Sequence, residues 1–237
     1  MAASVILCHP HDAGALWLDQ MLRDLGVRSF EVVTVEQVVF SRRIVYRLSD
    51  AGESSSIRLV DGRELRSDTI TGLINRICYL PTQHFASADP DERTYATAEL
   101  SAFMLAWLNG VRGRVLNPAR PFSLAGMFDR TAMRYYAAVA GLPTAPWRAT
   151  DSAGESPGLP PTHTTIVLDG RLFGPILPRH LQDGCCRLAV LLGVPLLQVA
   201  FQRAPGGGWR FVDATAFVDF YAGGRPLAAA IARAFTT

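Results

Sequence analysis

Apolar positions along this chain fall into short unbroken runs and longer stretches that recur every three to four residues. Residues 4–7 (SVIL) form such a run; after His9-Pro10-His11-Asp12, Leu16, Met21, Leu22 and Leu25 recur at helical spacing. An unbroken aliphatic run bounded by turn residues is the pattern of a strand buried on both faces, and a 3.6-residue recurrence is one face of a helix. The spacing therefore predicts a strand at 4–7, a helix over about 12–25 closed by Gly26, and a second strand at 30–33. A β-α-β opening of this kind makes a right-handed crossover onto a parallel sheet. Residues 44–65 change character: IVYRLS and SIRLV flank the polar stretch DAGESS, predicting a hairpin, with Asp61-Gly62 as a second turn. TGLINRICYLP, residues 71–81, is a further buried strand with Asn75 and Arg76 at its end. A helix over 91–109 follows, capped by Asp89 or Asp91, with Tyr95, Leu100, Phe103, Met104, Trp107 and Leu108 on one wide buried face.

The second half has the same grammar. Val115 and Leu116 form a short run that stops at Asn117-Pro118. A helix over 128–140 has Asp129 near its start and Gly141 just past its end. Aspartate suits the positive end of the helix dipole, and glycine suits the left-handed residue that ends a helix. Leu142-Pro143-Thr144-Ala145-Pro146-Trp147 leads into an extended segment, and TDSAGESPGLPPT, residues 150–162, has the composition of a linker. A hairpin over 165–173 turns at Asp169-Gly170, and a helix over 178–192 ends at Gly193. Strands at 195–201 and 209–213 flank Pro205-Gly206-Gly207-Gly208, and a last helix covers 227–235.

Composition narrows the class. With 49% hydrophobic and 19% charged residues the chain is globular, and a formal net charge of +2 gives no reason to expect nucleic acid. No apolar run reaches the roughly 18 residues of a membrane span, and the N-terminus lacks the basic region of a signal peptide, so no membrane is expected and the expected location is cytoplasmic. Four cysteines without regular spacing, Cys185 and Cys186 adjacent, read as reduced thiols near the core. The sequence contains no lysine; all 23 of its basic residues are arginine. Arginine recognises carboxylates and phosphates but cannot lose its proton to act as a nucleophile.

The order of strand, Asn-Pro, helix, Gly-Leu-Pro and strand over residues 114–149 resembles the join between the first two domains of the ATP-grasp ligases. Residues 91–108 resemble the E-x-x-A-x-x-E-x-x-x-x-L-x-x-W-L helix of the RimK-like and peptide-modifying members, which follows a strand ending in arginine, as Asn75-Arg76 does here. The resemblance covers about residues 70–149 and 164–235. It implies an α/β protein: an N-terminal Rossmann-like, pre-ATP-grasp domain over 1–120, then a shortened ATP-grasp-like α+β domain over 121–237 with a linker at 150–163. ATP-grasp ligases phosphorylate a carboxylate with ATP and let an amine attack the acyl phosphate, which requires cations along the transferred group. In the family, two lysines and magnesium supply most of that charge. At the first lysine's position this chain has Asp129-Arg130. Nothing matches the second lysine or its glycine-rich loop, and where they belong there is only the linker. The family's last-strand Glu-x-Asn corresponds to Asp213 and Thr215, with Asp219 nearby in sequence.

These departures lead to a degenerate ATP-grasp homologue, a pseudoenzyme without ATP-dependent ligation. It would be an accessory or binding subunit in peptide or small-molecule biosynthesis, with an active ligase or another biosynthetic protein as partner and a peptide or small molecule as ligand. The alternative is a minimal active carboxylate–amine ligase using ATP and Mg²⁺, with Arg130 and Asp213 in the roles of lysine and metal ligand. Arg76, Arg130 and Arg134 read either as solvated surface arginines or as a carboxylate or phosphate clamp, and Asp213 and Asp219 either as caps of a strand end and turn or as the metal candidates. A third reading is an unrelated α/β enzyme holding a metal at His9, His11 and Asp12, since imidazole and carboxylate are common ligands after a strand. Loss of a covering subdomain would expose apolar surface that a second copy could bury, so a homodimer is expected. Trp107, Tyr135, Tyr136 and Trp147 read as packing aromatics.

Overall fold

The computed structural model describes residues 4–50, 52–121, 123–126, 128–145, 161–203 and 206–236. The chain divides into two compact units, Met1–Gly126 with Ile231–Thr237, and Met127–Ala230.

In the N-terminal unit the unbroken apolar runs become parallel strands. β1 (Ser4–Cys8), β2 (Phe30–Thr34), β6 (Gly72–Asn75) and β7 (Arg114–Leu116) form one sheet in the order β2-β1-β6-β7. α1 (Ala13–Asp24) makes the first crossover, and Asp12 caps it by accepting from Ala15 N at 3.0 Å. α2 (Val35–Val39) opens on a capping box between Thr34 and Gln37. α3 (Pro90–Asn109) is capped by Asp89 and buries Met104, Trp107 and Leu108, whereas Tyr95 is 68% exposed. The wide face expected for this helix is therefore buried only toward its C-terminal end. Twenty helical residues span about 30 Å, while strands of three to five residues span only about 10–17 Å, so the sheet cannot cover the whole helix.

Residues 43–66 form a separate antiparallel sheet of β3 (Arg43–Ser49), β4 (Gly52–Arg58) and β5 (Glu64–Arg66), in that order. The stretch expected to be a long polar turn, GESS, is the first half of β4; Ser55 faces inward, where its backbone N–H bonds Ser67 Oγ. The end of the chain returns to this unit. Phe235 meets the edge of Phe30 at 5.1 Å between centroids and packs over Gly72, where any Cβ would collide with the ring.

The C-terminal unit is an antiparallel sheet with helices on one face. α4 (Arg130–Val139) precedes β8 (His163–Leu168) and β9 (Arg171–Phe173), which pair across Asp169-Gly170. α5 (Arg179–Leu192) ends on Gly193 in the left-handed conformation, as expected. β10 (Leu196–Arg203) pairs with β8 and with β11 (Trp209–Thr215), giving the order β11-β10-β8-β9. Met133 and Ala137 of α4, Leu181, Leu188 and Leu192 of α5, and Leu197, Val199 and Phe201 of β10 share one core. The last helical element, α6 (Phe220–Thr236), is two helices joined across Gly224, whose backbone is non-helical at φ 59° and ψ −163°; the second contains the 227–235 expected, and the short first one was not expected. Trp147 and the linker at 150–163 lie outside the described residues, except for residues 161–163. Among the described residues no helix is long and apolar enough to cross a membrane.

Candidate functional site

In an open parallel sheet the chain leaves the strands at their carboxyl ends, where loops collect polar groups. Leu7 and Asn75 pair in register at the ends of β1 and β6, and Arg76 N donates to Leu7 O at 2.8 Å. Arg76 then lies beside the start of α1. Its Nε donates to Asp12 Oδ2 at 2.8 Å and its Nη2 to Asp12 Oδ1 at 3.0 Å, a two-pronged pair whose side chains are 3% and 4% exposed. Gly14 admits the pair: a Cβ there would sit 3.1 Å from Arg76 Nη2 and 3.3 Å from Asp12 Oδ1. Burial alone would push the Asp12 carboxyl up. The bonds and charge of Arg76, with the N–H groups of Ala15 and Gly14, outweigh it and hold the pKa below the ordinary aspartate value. The Arg76 fork, expected to clamp a ligand, grips Asp12.

The same corner holds the His-x-His-Asp residues. His9 Nε2 accepts from Cys78 N at 2.9 Å, and its ring stacks on Tyr79 at 4.0 Å between centroids. Burial, the largest influence on this imidazole, lowers its pKa and favours the neutral form. His11 sits in the left-handed region at φ 64°, and both Asp12 oxygens hold Arg76. Neighbours in sequence around a strand-to-helix corner point different ways, and among the described residues no three His, Cys, Asp or Glu side chains group so as to hold a metal ion.

Arg130 and Arg134 belong to the C-terminal unit. Asp129 caps α4 by accepting from Ala132 N at 3.0 Å; Arg130 is the first helical residue and exposed, and Arg134 lies one turn on and half-buried. Arg134, Tyr135, Tyr136, Thr144 and Ala145 line an open, mainly apolar groove of about 710 Å³ along this helix. Tyr135 is 66% exposed there, so it is not a core residue of this unit, whereas Trp107 is fully buried.

The outer face of the antiparallel sheet carries the remaining candidates. The register between β10 and β11 shifts between Ala200 and Phe201: Ala200 pairs with Asp213 and Phe201 with Phe211, leaving Val212 as an extra residue. Strict alternation would put Phe211 and Asp213 on one face. The bulge reverses it, so Phe211 and Ala214 enter the core and Asp213 is exposed on the face away from the helices. Gln198 and Thr215 pair on that same outer face. One oxygen of each polar side chain there accepts a backbone bond. Asp213 Oδ1 accepts from Ala214 N at 2.9 Å, Thr215 Oγ1 from Phe217 N at 3.0 Å, Gln198 Oε1 from Asp219 N at 2.8 Å, and Asp219 Oδ1 from Tyr221 N at 3.0 Å. Magnesium takes hard oxygen ligands in near-octahedral array. The face offers one exposed carboxylate, Asp213, and a second, Asp219, that also caps a turn. Gln198 was missed in the sequence because only the strand register places it beside Thr215.

No family model matches the sequence, and no curated protein matches it. Solved structures do. The macrocyclase MdnB from Microcystis aeruginosa MRC aligns with a TM-score of 0.74 at 14% identity, covering 98% of each chain. A Chryseobacterium gregarium RiPP-associated ATP-grasp ligase, solved with ADP and a leader and core peptide, aligns at 0.75 and 10% identity over 100% of this chain and 97% of its own. The ATP-grasp ligase PsnB, solved with a minimal precursor, Mg and ADP, aligns at 0.73 and 17% identity over 100% and 98%. At such identities the likeness concerns the fold, and it spans both units. The chain has the ATP-grasp fold.

Proposed function

We propose that this chain is a binding protein built on the ATP-grasp fold that does not carry out ATP-dependent ligation. It serves as an accessory subunit in a peptide or small-molecule biosynthetic pathway, beside an active ligase. The observation that carries the reading is the outer face of the C-terminal sheet. One oxygen each of Asp213, Thr215, Gln198 and Asp219 accepts from a backbone N–H, and the sequence offers no lysine to neutralise a transferred phosphoryl group. A peptide as ligand is supported by the fold-mates solved with leader, core or precursor peptides, and by the apolar groove that Arg134 and Tyr135 line on α4. Affinity purification of the tagged chain from its native host tests this directly: an ATP-grasp ligase retained with it supports the reading. ATP-dependent product formation by the isolated chain would sink it.

A second reading is favoured by one observation, the exposure that the bulge gives Asp213. In it the chain is a minimal carboxylate–amine ligase relying on Arg130 and Asp213. It requires Mg²⁺-dependent ADP release that disappears in Arg130→Ala and Asp213→Ala; release unchanged by both substitutions rules it out.

A further inference from the structure

The β3-β4-β5 sheet is distinct from the parallel sheet and carries an unbalanced charge. Register places Arg43 directly opposite Arg58, Arg47 opposite Ser54, and Arg66 opposite Ser56. With Glu64 and Asp68, these four arginines line a groove of about 250 Å³. Arg66 is held by Asp68, through Nε at 3.1 Å and Nη2 at 2.9 Å. Arg43, Arg47 and Arg58 make no ion pair with a described residue. Like charges directly opposite each other on a sheet are destabilising; Glu64, opposite Arg58 on its other side, offsets that charge, so the excess positive charge of the groove lies toward Arg43 and Arg47 on β3, where an anion would relieve it.

β3 is also the edge of its sheet, and all seven of its residues are exposed except Val45, which is half-buried. An edge strand of this length is a template for another strand, and charged residues on it restrict what can pair. Its two faces differ. Arg43, Val45 and Arg47 point to the groove, while Ile44, Tyr46 and Leu48 lie on the other face with 40%, 43% and 79% exposure. An added strand would meet guanidinium groups with its residues i and i+4, about 13 Å apart, and aliphatic surface with the residues between.

We propose that the outer edge of β3 binds an acidic peptide segment in extended form, added as a further strand. Carboxylates four residues apart meet Arg43 and Arg47, and apolar residues in alternation with them lie against Ile44 and Tyr46. A second copy of β3 would bring arginine against arginine, and a polyphosphate would face the carboxylates of Glu64 and Asp68 in the same groove. The proposal deepens the peptide-binding half of the proposed function and rests on it, but not on the loss of ATP chemistry.

The test is fluorescence anisotropy at low salt, without nucleotide, using fluorescein-labelled SEVTVESG and its SQVTVQSG counterpart. Saturable binding of the glutamate peptide is expected, at least about tenfold tighter than that of the glutamine peptide. The Arg43→Glu/Arg47→Glu variant should lose it and instead bind SKVTVKSG, a gain that an unfolded variant could not show. Absence of binding, equal binding of both peptides, or wild-type affinity in the variant overturns the proposal. So does displacement of the peptide by tripolyphosphate as readily as by unlabelled peptide at matched ionic strength, or sedimentation showing a wild-type dimer that the variant dissociates. A ligase retained in affinity purification together with no peptide binding would leave the proposed function standing and remove only this site.

Discussion

The N-terminal unit uses arginine in two opposite ways. Arg76 is buried, grips one carboxylate with two prongs and closes the corner between β6 and α1. Arg43, Arg47 and Arg58 stand exposed on a small sheet, Arg58 between Arg43 on one side and Glu64 on the other, and none of the three makes an ion pair with a described residue. A guanidinium that is desolvated must be matched inside the fold, whereas one left in water may stay unmatched until a ligand supplies the charge. The same residue type thus marks structure in one place and an open binding surface in another, and burial separates the two.

The largest effect that would test this contrast is at Asp12. Asp12→Ala removes the cap of α1 and strands the buried Arg76 charge, and should cost about 3–5 kcal/mol in chemical denaturation. A loss under 1 kcal/mol would mean that the pair is solvated and the contrast false. Second comes deletion of Val212. Without the bulge, alternation turns either Asp213 or the Phe211 side of β11 to the wrong face, and the loss should be about 2–4 kcal/mol. The acid limb of stability is smaller. The Asp12 carboxyl titrates below its ordinary value, so its contribution is complete above the unfolded pKa of about 3.9 and fades as pH falls below it through the folded value. The stability gap between wild type and Asp12→Ala should therefore narrow as pH drops below about 4, and a gap constant from neutral pH into acid would contradict the pairing. The smallest effect belongs to Arg43→Ser/Arg47→Ser, which should leave stability within about 0.5 kcal/mol, or raise it slightly by relieving repulsion. Thiol labelling adds a check that needs no substitution. Burial pushes the Cys8 and Cys185 thiols up to about 12, whereas Cys78 is exposed, so native protein should alkylate at Cys78 well before either buried cysteine.

Much of the fold was legible because the signals were local. The apolar runs at 4–7 and 30–33 became β1 and β2, Asp89 became the helix cap expected there, Asp12 and Asp129 lie at the helix starts expected near them, and Gly193 ends α5. Where the reading went astray, tertiary context had overridden composition. GESS looks like a turn, yet cross-strand pairing with β3 and the bond from Ser55 N to Ser67 draw it into a strand. The short helix that starts at Phe220 and stops at the non-helical Gly224, ahead of the last helix expected at 227–235, was not expected from the sequence. The candidate site was less legible. Asp12 and Arg76 are 64 positions apart and meet only because β1 and β6 are neighbours, which no local pattern encodes. The orientation of Asp213 depends on a single-residue bulge, and Gln198 enters only through strand register.

The central claim, an ATP-grasp fold without ATP chemistry, is tested most directly by calorimetric titration of the purified chain with ATP and ADP, with and without Mg²⁺. The account predicts no magnesium-dependent binding at millimolar nucleotide, in wild type and in Asp213→Ala alike. Saturable, magnesium-dependent heat that Asp213→Ala abolishes would contradict it and leave the outer face of the C-terminal sheet as a working metal–nucleotide site.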